Sequence, residues 1–249
     1  MAARILHLDI ETAPNLVYAW GLWRQNIAIS QIVEPGYTLC WAAKWHGERK
    51  VHFASFHEPD MIEKIHALLS EADIAVHYNG NKFDIPKLQM EFLLSGLEPT
   101  SQTRHVDLLP VVRRQFGFTS NKLDYVAQQL GLGAKTQHKG MEMWHSCMDP
   151  NHPDHERAWK VMKRYNIQDV RLLENVYKRL LPWIPTHPNV SLYIDSDEPL
   201  CRNCGSENLR KEGLSYTNAG IYQQYQCKDC GKWGRGNKTM KPKSKAVIL

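Results

Sequence analysis

The chain has 249 residues, of which 43% are hydrophobic and 23% are charged, as is usual for a globular protein with a sizeable core. No apolar run approaches the roughly 20 residues that a membrane-spanning helix needs, and two acids interrupt the apolar start, so we expect a cytoplasmic protein without a signal peptide. The charge is uneven: residues 1–199 sum to about −2 and residues 200–249 to about +7, which suggests a basic segment that grips a polyanion or a solubilising tail.

The first part of the chain alternates between strand-like and helix-like patterns. Short apolar runs predict strands, and two of them are joined by a His-Gly-Glu turn that predicts a hairpin. Apolar side chains at helical spacing predict the helices. The predicted elements are a strand at 4–10, an aromatic loop at 12–35, a hairpin at 38–45 and 50–56, a helix at 59–70, a strand at 73–78 and a helix at 84–94.

The second part is predicted to be mostly helical and to end in a separate module. Helices are expected at 108–116 and 122–130, a polar stretch rich in His and Met at 133–152, and one long helix at 154–181. The interleaved strands and helices predict an α/β domain over residues 1–182, with a mixed sheet flanked by helices. The remaining ranges are a linker at 183–199 with at most one short strand, a cysteine module at 200–235 and a basic disordered tail at 236–249.

Two acids interrupt the first predicted strand. Asp9 and Glu11 are two residues apart, so their side chains point to the same face of the strand. A pair of like charges in an apolar strand is costly unless a cation compensates it, and hard oxygen ligands suit Mg²⁺ or Mn²⁺. The alternative is a strand end that emerges into solvent.

Further acids follow at positions that can join this pair. Asp84 comes after a later strand, where ligand sites form in α/β sheets, although an Asp before Ile-Pro is also an ordinary helix cap. Tyr165 and Asp169 are four residues apart and therefore lie on one face of the long helix. The alternative for that pair is a polar stripe on the protein surface.

Three motifs occur in order: Leu-Asp-Ile-Glu-Thr at 8–12, His-Tyr-Asn-Gly-Asn-Lys-Phe-Asp-Ile-Pro at 77–86, and Tyr-Asn-Ile-Gln-Asp at 165–169. Together they resemble the DEDD exonuclease superfamily, which has a ribonuclease H-like fold, over residues 4–181. The resemblance is to the proofreading domains of family B DNA polymerases and to standalone phage and bacterial relatives. The sister branch of that superfamily has His five residues before the last Asp, where this chain has Arg164, so the Tyr-containing branch fits.

The resemblance implies a 3′→5′ exonuclease that releases 5′-mononucleotides from single-stranded or frayed ends by a two-metal mechanism with Mg²⁺ or Mn²⁺. It implies that Asp9 bridges both ions, that Glu11 and Asp169 bind the hydroxide-forming ion, and that Asp84 binds the other. Tyr165 would orient the attacking water. DNA is the expected substrate through the polymerase resemblance, although RNA stays open.

The roles of other residues near these motifs allow alternative interpretations. Thr12, Asn79 and Asn81 are candidates to contact the terminal nucleotide, with turn and cap chemistry as the alternative. His7 shares the face of the acidic pair and is expected to be a packed histidine rather than a ligand. The aromatic residues of the 12–35 loop could stack on bases or cover the core; they are Tyr18, Trp20 and Trp23.

The C-terminal module contains two Cys-x₂-Cys pairs, each followed by Gly. This spacing predicts a closed tetrahedral zinc site in a zinc ribbon, formed by Cys201, Cys204, Cys227 and Cys230. A module of this size has too little core to fold alone, so zinc would stabilise it. A second cluster has donor types that suit zinc, with a polar loop as the alternative; it consists of His145, Cys147, His152 and His155.

Basic and aromatic residues alternate in the ribbon and predict contact with nucleic acid, with Arg210, Lys232 and Trp233 as the candidate contacts. A ribbon that docks on protein is the alternative. For the whole chain, the rivals to an exonuclease are a nucleic-acid-binding adaptor of a replication or repair complex and a structure-specific endonuclease on the same fold.

Overall fold

The computed structural model describes residues 2–136, 139–218 and 220–240. The chain divides into two compact units: one is Arg4–Val176, and the other runs from Tyr177 onward and includes the first three residues. Most of the predicted tail, residues 241–249, lies outside the described part. Within that part, no helix has the length and apolar character that crossing a membrane requires.

The first unit contains seven strands and most of the helical residues. The strands are β1 (Ile5–Thr12), β2 (Leu16–Val17), β3 (Ile32–Glu34), β4 (Thr38–Trp45), β5 (His52–Ser55), β6 (Ile74–His77) and β7 (Arg104–Asp107). The helices are α1 (Met61–Glu71), α2 (Asp84–Leu94), α3 (Leu108–Gln115), α4 (Leu123–Gln129), α5 (Met141–Met148) and α6 (His155–Leu180).

Five of these strands form one mixed sheet in the order β5-β4-β1-β6-β7. β1 lies in the middle, antiparallel to β4 and parallel to β6, while β7 continues the parallel side. All eight residues of β4 are buried, as expected for a strand covered on both faces. The predicted α/β architecture with a mixed sheet is therefore confirmed.

The alternation of side chains along β1 decides where the acids point. Leu6, Leu8 and Ile10 are buried in a core cluster that also contains Ile65 of α1 and Leu88 of α2. His7, Asp9 and Glu11, which alternate with these residues along the strand, therefore project from the opposite face of the sheet. A second core cluster contains residues of β4, α5 and α6: Leu39, Cys40, Met143, Cys147, Met162 and Tyr165.

Four elements of this unit, three strands and one helix, were not predicted. β2 and β3 form a small ladder inside the aromatic loop, and α5 lies within the stretch that was expected to be only polar. β7 pairs with β6 although its first two residues, Arg104 and His105, are exposed. A four-residue strand that is buried at only two positions shows no clear hydrophobic alternation, which is why the sequence pattern missed it.

The second unit contains a three-stranded sheet of β8 (Leu209–Thr217), β9 (Gly220–Cys227) and β10 (Trp233–Thr239), in the order β10-β9-β8. One prediction here was wrong. Residues 236–239 belong to β10, in which Thr239 pairs with Tyr222 of β9, and not to a disordered tail. The expected linker contains no strand in the described part; it forms a 3₁₀ helix, Val190–Tyr193, and the Val190 amide donates to the Arg202 carbonyl at 2.8 Å.

Candidate active site

β1 and α6 bring three carboxylates together. One oxygen from each of Asp9, Glu11 and Asp169 lies within 4.8 Å of the others. Asp9 and Glu11 are half-buried, and Asp169 is buried in the helix that faces them. The structure thus brings together the acids that residue spacing on the strand and on the helix had placed on common faces.

Asn166 fixes the position of Asp9. This residue is fully buried on α6, and its Nδ2 donates to Asp9 Oδ2 at 2.8 Å and to the Asp9 carbonyl at 3.3 Å. An amide donor aimed at a carboxylate favours its ionised form. Asn166 belongs to the third sequence motif, but the sequence pattern assigned it no role.

Asp84 lies at the start of α2 and is buried. Phe83, and not Asp84, occupies the cap position of this helix, and Asp84 Oδ1 accepts the Ile10 amide at 3.1 Å. The carboxylate is thereby tied to the strand that carries Asp9 and Glu11. The simple helix-cap interpretation of Asp84 is not what the structure shows.

The turn before Asp84 is held by a residue that the sequence pattern missed. Asp107, at the end of β7, accepts the amides of Asn79 and Asn81 at 2.8 and 3.2 Å. Gly80 lies between them, and a Cβ at this position would come within 2.4 Å of His77 Cγ. Asn79 itself has φ 71°, a left-handed conformation that Asn tolerates better than most residues. The backbone of this turn therefore favours Asn at position 79 and requires Gly at position 80.

Burial and mutual repulsion raise the pKa of these acids. Burial is the largest cause for Asp9, whose pKa is raised well above its ordinary value, with the charges of Glu11 and Asp84 adding to it. Burial and the charge of Asp169 raise the pKa of Glu11 to about 8, and burial raises the pKa of Asp84 to about 6. Such a cluster is a strong candidate for cation binding, because a dication would stabilise all the ionised carboxylates at once.

A lysine already supplies one positive charge. Lys135, in the segment between α4 and α5, donates from Nζ to Asp169 Oδ2 and, at 3.2 Å, to the Tyr165 hydroxyl. Its own backbone is anchored because its amide donates to Asp124 Oδ1 at 2.7 Å. The charge of Lys135 opposes the effect of burial on the pKa of Asp169. No sequence motif pointed to this residue.

Tyr165 borders the cluster from α6. It is mostly buried, and burial raises the pKa of its phenol, so the hydroxyl is protonated at neutral pH. The Trp144 ring meets the Tyr165 ring edge-on at 6.3 Å, and Trp144 Nε1 donates to the Thr12 carbonyl at 3.2 Å. The structure thus places Tyr165 and Thr12 around the same tryptophan of α5.

Two histidine predictions can be compared with the structure. His7 is buried, with its Nε2 3.0 Å from His46 Nδ1. Donor atoms of these two histidines and of Glu174 lie within 4.8 Å of one another, so the expectation that His7 is packed rather than a ligand stays a prediction. Among the described residues, the cluster at His145, Cys147, His152 and His155 does not bring its donor atoms together as a metal site. His155 Nδ1 instead lies 2.9 Å from the Ser146 carbonyl, and His152 Nδ1 accepts the Asp154 amide. The polar-loop alternative is not what the structure shows either, because His145 and Cys147 lie on α5 and Cys147 is buried in the second core cluster.

The aromatic loop does not cover the core. Tyr18, Trp20 and Trp23 are 76%, 97% and 84% exposed. The base of the loop is ordered, since the Tyr18 amide donates to the Gln31 carbonyl and the Ala13 amide to the Tyr37 carbonyl. These rings are therefore presented to solvent by an ordered loop that directly follows the strand carrying Asp9 and Glu11.

The four cysteines of the second unit form one cluster. Their sulfurs lie within 4.8 Å of one another, and two sulfur pairs, Cys201–Cys230 and Cys204–Cys227, are 3.6 Å apart. A tetrahedral zinc site with Zn–S bonds of about 2.3 Å requires sulfurs about 3.8 Å apart, so the donor set fits zinc. A glycine at positive φ follows each Cys-x₂-Cys pair. The Gly205 amide donates to the Cys201 carbonyl, and the Gly231 amide donates to the Cys227 carbonyl. The cluster therefore fits the predicted zinc ribbon.

The predicted substrate contacts of the ribbon have different surroundings. Arg210 Nε lies 2.5 Å from Glu212 Oε1, which neutralises its guanidinium. Lys232 Nζ donates to the carbonyls of Pro182 and Ile184 within the same unit. Trp233 is 48% exposed, so its ring remains available for stacking.

A mixed five-stranded sheet with carboxylates on its central strand and on a covering helix defines the class of ribonuclease H-like proteins. The chain matches the RNase H superfamily over residues 6–181 and belongs to it. This membership supports a nuclease-type function.

Among solved structures, the family B DNA polymerase from the hyperthermophilic archaeon Pyrobaculum calidifontis is similar, with a TM-score of 0.55 and 21% sequence identity. The match covers 72% of this chain and 25% of the polymerase chain, so this chain spans about a quarter of that protein. At this identity the likeness concerns the fold. A search of the curated proteins gave no match.

Proposed function

We propose that the chain is a metal-dependent 3′→5′ exonuclease of the Tyr-containing DEDD branch, which releases 5′-mononucleotides from single-stranded or frayed ends. The observation that carries the proposal is the cluster of Asp9, Glu11 and Asp169, with carboxylate oxygens within 4.8 Å of one another. Asp84 and Tyr165 complete the residue set of that branch, and superfamily membership supports a nuclease.

The surroundings of the cluster fit divalent cations. Asp9, Glu11 and Asp169 would hold one ion, and Asp9 and Asp84 a second, which would be Mg²⁺ or Mn²⁺ because every donor is a carboxylate oxygen. When bound, such ions polarise the scissile phosphate and lower the pKa of a water molecule. The ammonium of Lys135, beside both Asp169 and the Tyr165 hydroxyl, supports a place for positive charge next to these carboxylates.

The protein's own groups supply orientation. Asn166 keeps the Asp9 carboxylate in one orientation, and the Ile10 amide does the same for Asp84. The protonated Tyr165 hydroxyl can donate a hydrogen bond to the attacking water or to a phosphate oxygen. Lys135, beside Asp169 and Tyr165, would stabilise negative charge that develops on the phosphate.

The substrate in this proposal is DNA, with Thr12, Asn79 and Asn81 near the terminal nucleotide and the zinc ribbon as a second contact. Thr12 ends the strand that carries Asp9 and Glu11, and the two asparagines form the turn before Asp84. Replication or repair proteins are the proposed partners. A structural Zn²⁺ in the cysteine cluster completes the set of metals.

Replacement of one carboxylate tests the site. Asp9→Ala should abolish Mg²⁺-dependent degradation of an end-labelled single strand, and Glu63→Ala, an exposed acid on α1, should leave the rate unchanged. Both variants should show the same thermal unfolding behaviour as a check on folding. Undiminished degradation by Asp9→Ala would remove this cluster from the mechanism.

A blocked end separates the rival functions. An exonuclease of this polarity should not degrade a strand whose 3′ hydroxyl is capped, while a 5′ cap should have no effect. Internal cleavage of the 3′-capped strand would favour the endonuclease. Tight binding of a strand without any cleavage, in Mg²⁺ and in Mn²⁺, would favour the adaptor.

A further inference from the structure

The face of the ribbon sheet that carries Trp233 has an unusual composition. In the pairing of β9 with β10, Trp233 lies opposite Gln226 and Arg235 lies opposite Gln224. Because side chains two residues apart share a face of a strand, Trp233, Arg235 and Tyr222 project from the same side. The Arg235 guanidinium lies 4.1 Å above the centre of the Tyr222 ring. The same face therefore carries the Trp233 indole and the Arg235 guanidinium, which is stacked on the Tyr222 ring.

These residues line a cleft of about 720 Å³ within the second unit. The side chains of interest along its wall are Arg202, Tyr222, Tyr225, Lys232, Trp233 and Arg235. The volume is within the range of ligand pockets, roughly 300–1,000 Å³. Of the described residues that line the cleft, none is an aspartate or a glutamate.

No Asp or Glu among the described residues neutralises the cations of the cleft, although Cys201 and Cys227 of the cysteine cluster also line it. Within the described residues, no carboxylate forms an ion pair with Arg235 or Arg202. The acids of the ribbon are engaged elsewhere: Glu212 pairs with Arg210, and Asp229 accepts from Ser206 and Asn208. Lys232 is held by two backbone carbonyls but keeps its positive charge at the wall. The cleft is therefore suited to an anion.

We propose that this cleft binds an unpaired nucleotide of a single strand, with the base stacked on Trp233 and the phosphate held by Arg235 and Arg202. A ligand that is both anionic and planar matches cations and aromatic rings on one face, and an arginine lying flat on an aromatic ring extends the stacking surface. Stacking accepts every base, so this site would grip a strand without selecting its sequence. The proposal deepens the proposed function, on which its choice of nucleic acid rests.

Binding of a fluorescent single strand to the full chain tests the cleft, in the Asp9→Asn background so that the strand survives. Trp233→Ala and Arg235→Ala should each weaken binding about ten-fold, and Trp233→Phe should restore most of the affinity because it restores a stacking ring. Lys228→Ala is the matched control: it also removes one charge from the ribbon, but it lies outside the lining of the cleft and is close to Glu212. Equal zinc content and equal thermal unfolding establish that the variants are folded.

Two further readouts separate the cleft from diffuse attraction. Wild type should bind a normal strand more tightly than an abasic strand, and Trp233→Ala should reduce that difference. Arg235→Ala should lower the slope of log affinity against log salt by about 0.7, the value for one phosphate contact with a single strand. Lys228→Ala should not lower this slope.

Each other outcome has a defined meaning. The cleft proposal is overturned if the Trp233 and Arg235 variants bind like wild type, or if Lys228→Ala weakens binding as much as Arg235→Ala. Unchanged binding by all variants would instead favour an acidic protein segment as the ligand of the cleft. Failure of the proposed function is seen separately, as cleavage that survives Asp9→Ala. Weaker binding by the cleft variants would support the nucleotide site even then.

Discussion

Removal of the Asn166 amide tests whether Asp9 needs a fixed orientation. In the structure this buried amide donates to Asp9 Oδ2 at 2.8 Å and to the Asp9 carbonyl at 3.3 Å. A buried hydrogen bond to a charged group contributes about 1.5–3 kcal/mol. At about 1.4 kcal/mol per factor of ten, Asn166→Ala should lower kcat/KM by about 10- to 150-fold. Groups that orient metal ligands show losses of similar size, about 10–100-fold in metal affinity.

The assay is the initial rate of single-strand degradation over a series of Mg²⁺ concentrations. Asn166→Ala should need more Mg²⁺ for half-maximal rate, because the carboxylate it orients is freed to rotate. Asn166→Asp should be worse than the alanine variant at low Mg²⁺, because a further negative charge then lies beside Asp9.

Asn208→Ala in the second unit is the matched control, since it removes an amide that donates to an exposed carboxylate, Asp229, at 2.8 Å. It should leave both the rate and the Mg²⁺ requirement unchanged. If Asn166→Ala has the wild-type rate at every Mg²⁺ concentration while remaining folded, the orienting role inferred from the two hydrogen bonds is wrong.

Three further predictions concern residues around the site. Gly80→Ala should destabilise the protein by about 1–3 kcal/mol in chemical denaturation, because its Cβ would lie 2.4 Å from His77 Cγ. Gly117→Ala, which has open space around the new Cβ, should not destabilise it. Equal effects of the two substitutions would disprove the steric argument. Lys135→Met should lower the free energy of unfolding by about 1–3 kcal/mol without Mg²⁺, because buried Asp169 loses its donor. The loss should be much smaller with saturating Mg²⁺. An equal loss in both conditions would show that Mg²⁺ does not replace the ammonium. Burial, with the charge of His105, lowers the pKa of His77 to about 3. Between pH 6.5 and pH 3 the unfolded chain therefore binds more protons than the folded one. The free energy of unfolding consequently falls as the pH falls through this range. His77→Asn should therefore reduce the dependence of unfolding free energy on pH by up to about 1.4 kcal/mol per pH unit between pH 4 and 6, and an unchanged dependence would contradict a buried neutral histidine.

The parts of the site that follow local rules could be predicted from the sequence. The two-residue spacing of Asp9 and Glu11 gave their common face, and the spacing of Tyr165 and Asp169 placed both on one face of α6. Two Cys-x₂-Cys pairs with following glycines predicted the cysteine cluster. Each of these inferences needs only the geometry of one strand, one helix or one turn.

The tertiary neighbours of these residues could not be predicted in the same way. Asp107 reads as an ordinary acid after a weakly apolar run, yet its carboxylate holds the turn that precedes Asp84. The aromatic loop allowed two interpretations, because an alternation of aromatic and small residues is compatible with a covered core and with an exposed surface. Only the exposure of Trp20 and Trp23 decides between them.

Lys135 shows why the charge balance of such a site is the last thing a sequence reveals. It lies 34 residues before Asp169, in a segment whose described residues form no helix or strand. The anchoring of its amide by Asp124 holds its backbone beside the carboxylates. The motifs show where negative charge gathers, and the cost of burying that charge implies a positive partner of some kind. They do not show whether a side chain or an ion supplies it. Since one ammonium faces four carboxylates, Lys135 balances only part of the charge, and the remainder is the strongest physical argument for bound divalent cations.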